Sequence, residues 1–154
     1  MKAHAYLAVA FAMAFVVFLH ADHKMARAQQ ESPVLVPIQA MFKGMTERDP
    51  EAIKAAALPG TVMVLMRDGK PTQMTIEAFA DRVGKPSKTH IEERIHDPLV
   101  RVDHDLAMVW APFVFLADGK PDHCGTDLFN LVQSNGKWLI AAIADTGSKA
   151  CAAQ

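Results

Sequence analysis

Between Thr89 and Asp145 apolar and polar side chains alternate with a period of two, interrupted at Asp103-His104-Asp105, Asp118-Gly119 and Asn135-Gly136. An Asp-Gly or Asn-Gly pair is what a two-residue type I′ hairpin loop demands, because both of its central residues need a positive φ. The pattern predicts four strands, about Thr89 to Val102, Leu106 to Ala117, His123 to Val132 and Lys137 to Asp145. With such short connections they can only form an antiparallel meander.

Upstream of Gly84 the period is 3.6. Ser32-Pro33 is a helix start, and Val34, Leu35, Ile38, Met41, Phe42 and Met45 recur at helical spacing, predicting a first helix over about Pro33 to Glu47. Asp49-Pro50 repeats the start signal for a short helix, EAIKAAAL, which Pro59-Gly60 must stop. TVMVLMR reads as a strand ending at the turn Asp68-Gly69. Thr75 can cap a third helix, IEAFADRV, closed by Gly84. Helices first and a meander afterwards make an α+β domain.

The chain opens differently. Ala5 to Leu19 is an apolar run, too short to span a bilayer as a helix, followed by the small-residue site Ala26-Arg27-Ala28. This is the layout of a signal peptide over residues 1–28 and predicts a periplasmic or secreted protein, with an uncleaved anchor as the alternative. Residues 29–154 are then one domain, without stable membrane insertion after cleavage. That segment keeps 13 basic and 16 acidic residues, a net charge of about −3. Nucleic acid is excluded as a partner, since no basic stripe is present to neutralise phosphates.

Counting outward from two uninterrupted hairpins sets Trp110 and Ala144 opposite Asp127, Val114 opposite His123 and Ala142 opposite Phe129. Trp110, Pro112, Val114, His123, Gly125, Asp127, Phe129, Ala142 and Ala144 then share one face. Small residues beside an aromatic and an acid leave space, so this face is expected to meet the helices and enclose a pocket. The other face, with Phe113, Phe115, Leu128 and Ile143, is also apolar and predicts a homodimer.

Asp127 either lines that pocket or satisfies neighbouring backbone, and His123 on the same face could pair with it. Cys124 and Cys151, in an exported chain, can form a disulfide, or Cys124 is a buried thiol. By the same register Cys124 lies opposite Gly147, so Cys151 would have to curl back. His96-Asp97 alternates across a strand and Asp103-His104-Asp105 sits in a turn, so no metal site is expected. No dinucleotide, P-loop or zinc-hydrolase fingerprint is present, and no cofactor is implied.

Three segments carry a resemblance: Thr46-Glu47-Arg48-Asp49, WAPFVFLADGKPDHCGTDLFNLV and SNGKWLIAAIADT. Over about Pro33 to Thr146 the chain resembles the nuclear-transport-factor-2-like superfamily, which includes SnoaL-like cyclases and ketosteroid isomerases, and is most similar to its lumazine-binding-like group. The resemblance implies a cone: a strongly bent sheet wrapped on helices around a cavity. It also places Asp127 where ketosteroid isomerases hold a protonated acid that donates to an oxyanion. Met41 stands where their oxyanion tyrosine would be, and TVMVLMR lacks their base, so steroid isomerisation by that mechanism is not expected.

The reading is an exported protein that binds a hydrophobic or aromatic small molecule between sheet and first helix. Trp110, Met41, Phe129, Val114 and Ala144 would contact the ligand. The alternative is a small isomerase-, cyclase- or hydratase-like enzyme using Asp127 and His123 as an acid-base pair. The third is a dimeric interaction module whose cavity is filled by Met41, Met45, Met63 and Phe129.

Overall fold

The computed structural model describes residues 32–151, and the proposed leader, residues 1–28, lies outside them. In chain order the described elements are α1 (Leu35–Glu47), α2 (Pro50–Ala55), β1 (Ala57–Arg67), β2 (Lys70–Thr75), α3 (Ile76–Val83), β3 (Ile91–Ile95), β4 (Leu99–Asp103), β5 (Leu106–Ala117), β6 (Lys120–Ser134) and β7 (Lys137–Asp145). The class is α+β, and the seven strands form one strongly bent open sheet. Its order is β2-β1-β7-β6-β5-β3, with β4 also paired to β5.

Helix α1 starts two residues later than its proline suggests, because the Ser32 carbonyl already accepts from Leu35 N at 2.9 Å in a lead-in turn. Leu35, Ile38, Met41, Phe42 and Met45 are buried, the face that the 3.6 period marks out. At the far end Arg48 is left-handed, and its guanidinium donates to Val83 O (2.9 Å) and Thr89 O (2.8 Å), tying α1 to the segment after α3. Asp49 then caps α2 by accepting from Glu51 N and Ala52 N, both at 3.0 Å. The Thr-Glu-Arg-Asp segment is thus structural. Helix α2 ends before Pro59-Gly60 because Ala56 O accepts from Ile140 N at 3.1 Å and Ala57 joins β7. A sheet ladder displaces helical continuation there.

The hairpin loops Asp68-Gly69, Asp118-Gly119 and Asn135-Gly136 all have positive φ at both positions, as type I′ turns require. Two features depart from the sequence pattern. The expected strand from Thr89 to Val102 is two strands, broken at Asp97 (φ 45°) and Pro98, and both halves pair with β5. Strand β2 carries almost no apolar signal, since it is an exposed edge. β1 also pairs in parallel with β7, beyond any hairpin.

Register is the main correction. Ala117 pairs with Lys120 and Ser134 with Lys137 as expected, but each ladder then slips by one residue. A bulge at Asp122 sets Phe115 opposite His123 and Ala111 opposite Asp127. A second, at Ala141, sets Ile143 opposite Phe129 and Asp145 opposite Asp127. One extra residue moves every later partner to the other face. The faces of β6 stand as read, while those of β5 and of β7 past Ala141 are exchanged.

The concave face therefore holds Val109, Ala111, Phe113, Phe129, Leu131, Ile140 and Ile143, packed toward the helices, with Phe42 edge-on to Phe129 at 6.1 Å between centroids. Phe113 and Ile143 are buried there, and of the residues expected outside only Leu128 is on the convex face. That face presents Trp110, Leu106, Leu99 and Val62, all exposed.

Candidate functional site

A cavity of about 460 Å³ lies between the concave face, α1 and α3. Its walls are mostly apolar: Met41 and Met45 from α1, Met63 and Leu65 from β1, Met74 from β2, Phe79 and Val83 from α3, and Phe115, Phe129 and Ile143 from the sheet. Met41, Met45, Met63 and Phe129 line this space without filling it, which removes the basis for a filled interaction module.

Asp127 and His123 both face the cavity from β6, as do Met41 and Phe129. Trp110, Val114 and Ala144 do not. The two bulges put them on the convex side, where Trp110 pairs with Leu99 and Leu128. Nor is the room beside Asp127 made by Gly125: a Cβ there would strike the Thr146 carbonyl, so the missing side chain admits backbone. Cys124 and Cys151 are joined by a disulfide, Cα to Cα 5.6 Å, and Cys124 exchanges both backbone hydrogen bonds with Ser148, one residue beyond the expected Gly147. Cys151 does curl back.

His123 and Asp127 are not a hydrogen-bonded pair. His123 Nδ1 lies 2.9 Å from Asp122 Oδ2, and its ring stacks on Phe115 at 4.8 Å. Lys149 donates to the other Asp122 oxygen at 2.8 Å, and these two partners, the lysine foremost, hold the Asp122 carboxyl below its ordinary range. The histidine is fixed at the cavity wall with only Nε2 uncommitted.

The polar end of the cavity contains three residues that alternation did not mark: Glu93 on β3, Asp145 on β7 and Arg67 on β1. Arg67 Nη1 donates to Asp145 Oδ1 and Nη2 to Oδ2, both at 2.7 Å, and Met66 N donates to Oδ1 at 3.0 Å. Such a bidentate pair fixes both partners. Gly147 makes it possible, since a Cβ there would come within 2.8 Å of Arg67 Nη1.

Asp127 has no such cation. It is 4 % exposed, and its Oδ2 is buried without a hydrogen-bond donor among the described residues. Burial first, then the negative charges of Glu93 and Asp145, raises Asp127 well above the ordinary carboxylate range. Glu93 is raised to about 7, by burial and then by Asp145. Both carboxyls therefore hold a proton more tightly than ordinary acids do. The signals that could have exposed this cluster were faint: Pro121 beside the turn, which cannot donate to a ladder, hints at the bulge, and Asp145 is the one acid in its strand.

The sequence model of the family described as "Putative lumazine-binding" matches residues 29–144. The chain belongs to this family. Solved structures of nuclear-transport-factor-2-like proteins share the lumazine-binding family member's fold. One of unknown function from Shewanella baltica has a TM-score of 0.60 at 17 % identity, covering 79 % of this chain and 95 % of that one. Another, from Cytophaga hutchinsonii, has 0.63 at 15 %, covering 75 % and 95 %. A third, from Silicibacter pomeroyi, has 0.61 at 16 %, covering 79 % and 98 %. At these identities the likeness concerns the fold alone. Comparison with curated proteins gives no match.

Proposed function

We propose that this member of the lumazine-binding family takes a small, largely apolar or aromatic molecule into the cavity, with its polar group at the Asp127 end. The observation that carries this reading is the orphaned, buried Asp127 oxygen of a residue lining a largely apolar cavity. A folded protein rarely leaves such an atom without a partner unless something else supplies it. The test is binding of the neutral dye N-phenyl-1-naphthylamine, followed by fluorescence, to wild type and to Leu65→Trp, whose indole would occupy the cavity. Saturable enhancement lost in a folded Leu65→Trp supports the reading. Undiminished binding in that variant moves the dye elsewhere and removes the support.

A second reading is chemical. A carboxyl raised well above the ordinary carboxylate range, facing the same cavity as His123, can serve as a general acid on a bound substrate, in an isomerase- or hydratase-like step. Turnover abolished by His123→Ala with dye binding retained would favour it over simple binding.

The convex face supports self-association. Trp110 (49 % exposed), Leu99, Leu106 and Val62 lie exposed on one side of the sheet with Leu128 among them, a contiguous apolar surface that a second copy would cover. Export to the periplasm or beyond rests on the leader and on the disulfide, which persists in an oxidising compartment. An envelope-fraction protein starting near Gln29 would support it, and an intact Met1 in the membrane would contradict it. Among the described residues no helix is long and apolar enough to cross a membrane.

A further inference from the structure

Past β7 the chain stays beside the first half of β6. Thr146 N donates to Thr126 O and Thr126 N to Thr146 Oγ1, both at 3.0 Å, Cys124 and Ser148 exchange backbone hydrogen bonds, and Cys151 closes on Cys124. Residues 146–151 read Thr-Gly-Ser-Lys-Ala-Cys, without a large apolar side chain, and Thr146, Ser148, Lys149 and Ala150 are exposed. A segment held by a few solvent-exposed hydrogen bonds opens at little cost, so the disulfide is what keeps this one in place.

The segment reaches two cavity-lining side chains, one directly and one through a relay. Gly147 lies against Arg67, where a Cβ would come within 2.8 Å of Nη1. Lys149 Nζ donates to Asp122 Oδ1 at 2.8 Å, and Asp122 Oδ2 is 2.9 Å from Nδ1 of His123 on the cavity wall. The lysine and then the histidine hold the Asp122 carboxyl below its ordinary range, so it is ionised and only accepts. The His123 proton is thereby fixed on Nδ1, which leaves Nε2 of a neutral imidazole as an uncommitted acceptor.

We propose that residues 146–151 are a disulfide-locked strap, and that thiol–disulfide exchange at Cys124–Cys151 controls how firmly the cavity holds its ligand. The inference rests on the cavity being a ligand site and adds the regulation of that site. The reductant is an external dithiol: one of its thiolates attacks a sulfur of the Cys124–Cys151 bond, and its second thiol then displaces the first mixed disulfide. Two protein thiols, carrying the protons of the reductant, and the disulfide of the reductant result. With the bond open, Lys149 leaves Asp122, Gly147 leaves Arg67, and the wall carrying His123 and Arg67 loses its outer support. A molecule bound against the ordered wall is then held less tightly, and by linkage its binding makes the disulfide harder to reduce.

Fluorescence titration with N-phenyl-1-naphthylamine tests this on the oxidised protein, on the same protein after dithiothreitol, and on Cys124→Ser/Cys151→Ser. Reduction should weaken dye binding by about fivefold or more. The serine variant should match reduced wild type and ignore the reductant; should it fail to fold, reduced wild type alone decides. Nitrogen-15 NMR of His123 at pH 8 supplies a readout that general loosening would not move: the proton on Nδ1 in the oxidised protein, and a mixture of both tautomers after reduction and in Lys149→Ala. Equal dye affinity before and after reduction overturns the strap and leaves the pocket standing. Tighter binding after reduction overturns it in favour of a tail that blocks entry, and a His123 spectrum indifferent to reduction overturns the relay through Asp122. Loss of far-ultraviolet circular dichroism on reduction also overturns it, since the bond would then hold the whole fold. Absence of dye binding in both states overturns the pocket reading and, with it, any control of the pocket by the strap.

Discussion

Asp127 and Asp145 sit directly opposite one another on β6 and β7, yet only Asp145 has a cation. Arg67 grips it with two 2.7 Å bonds, while Asp127 keeps a buried oxygen without a donor. The same register that brings the acids together divides their roles: one anchors the sheet and the other remains available.

Arg67→Ala should destabilise the protein, because it strands a nearly buried carboxylate. The guanidinium is 39 % exposed, so the loss is expected at about 1–3 kcal/mol, below that for a fully buried pair. Urea denaturation measures it, and Asp145→Asn added to Arg67→Ala should recover part of the loss. A double variant no more stable than the single would show the pair to be weakly coupled.

Stability should fall as the pH rises. Glu93 and Asp127 both bind a proton more tightly in the folded than in the unfolded chain, so the stabilisation is complete below their ordinary values, 4.5 and 3.8. It is lost through Glu93 up to about pH 7, and through Asp127 as the pH rises above its ordinary value. Each group contributes a slope of at most about 1.4 kcal/mol per pH unit within its window. Glu93→Gln should flatten the decline between pH 4.5 and 7 relative to wild type. Parallel melting profiles for the two proteins would contradict the assignment.

Replacing Cys124 and Cys151 together by serine should lower stability by about 2–4 kcal/mol, the chain-entropy value for a 27-residue separation. The tail past Asp145 should loosen with it, since Ser148 is paired to Cys124. Unfolding curves with and without reductant check this, and identical midpoints would show that the bond contributes nothing.

Trp110→Glu should give a folded monomer, because the indole is exposed on the convex face and makes no cavity contact. Light scattering at tens of micromolar is expected to give twice the chain mass for wild type and the single mass for the variant. A monomeric wild type would remove the interface.

Local chemistry was legible in the sequence where one element decides it. The three type I′ turns, the extent of α3 and the ends of β5 and β7 follow from residues within a few positions of each other, whereas the cavity-facing side of Asp127 was read from Trp110, Ala142 and Ala144, which lie on the other face. What was not legible depends on distant strands. Trp110 and Ala144 were placed beside Asp127 because nothing in an alternating pattern marks the extra residues Asp122 and Ala141. Glu93 and Arg67 reach the site only through the β3–β5 ladder and the parallel β1–β7 pairing, and parallel pairing has no turn to announce it. A single bulge was enough to exchange a tryptophan for a carboxylate in the pocket.

The raised Asp127 and Glu93 carboxyls, both lining a largely apolar cavity, are the feature on which the proposed site depends. Carbon-13 NMR of the aspartate and glutamate side-chain carboxyls, followed from pH 3 to pH 10 and assigned with Asp127→Asn and Glu93→Gln, reads that state directly. The expected result is a Glu93 carboxyl titrating near pH 7 and an Asp127 carboxyl titrating well above the ordinary carboxylate range. Both carboxyls titrating together near pH 4, as free acids do, would contradict it.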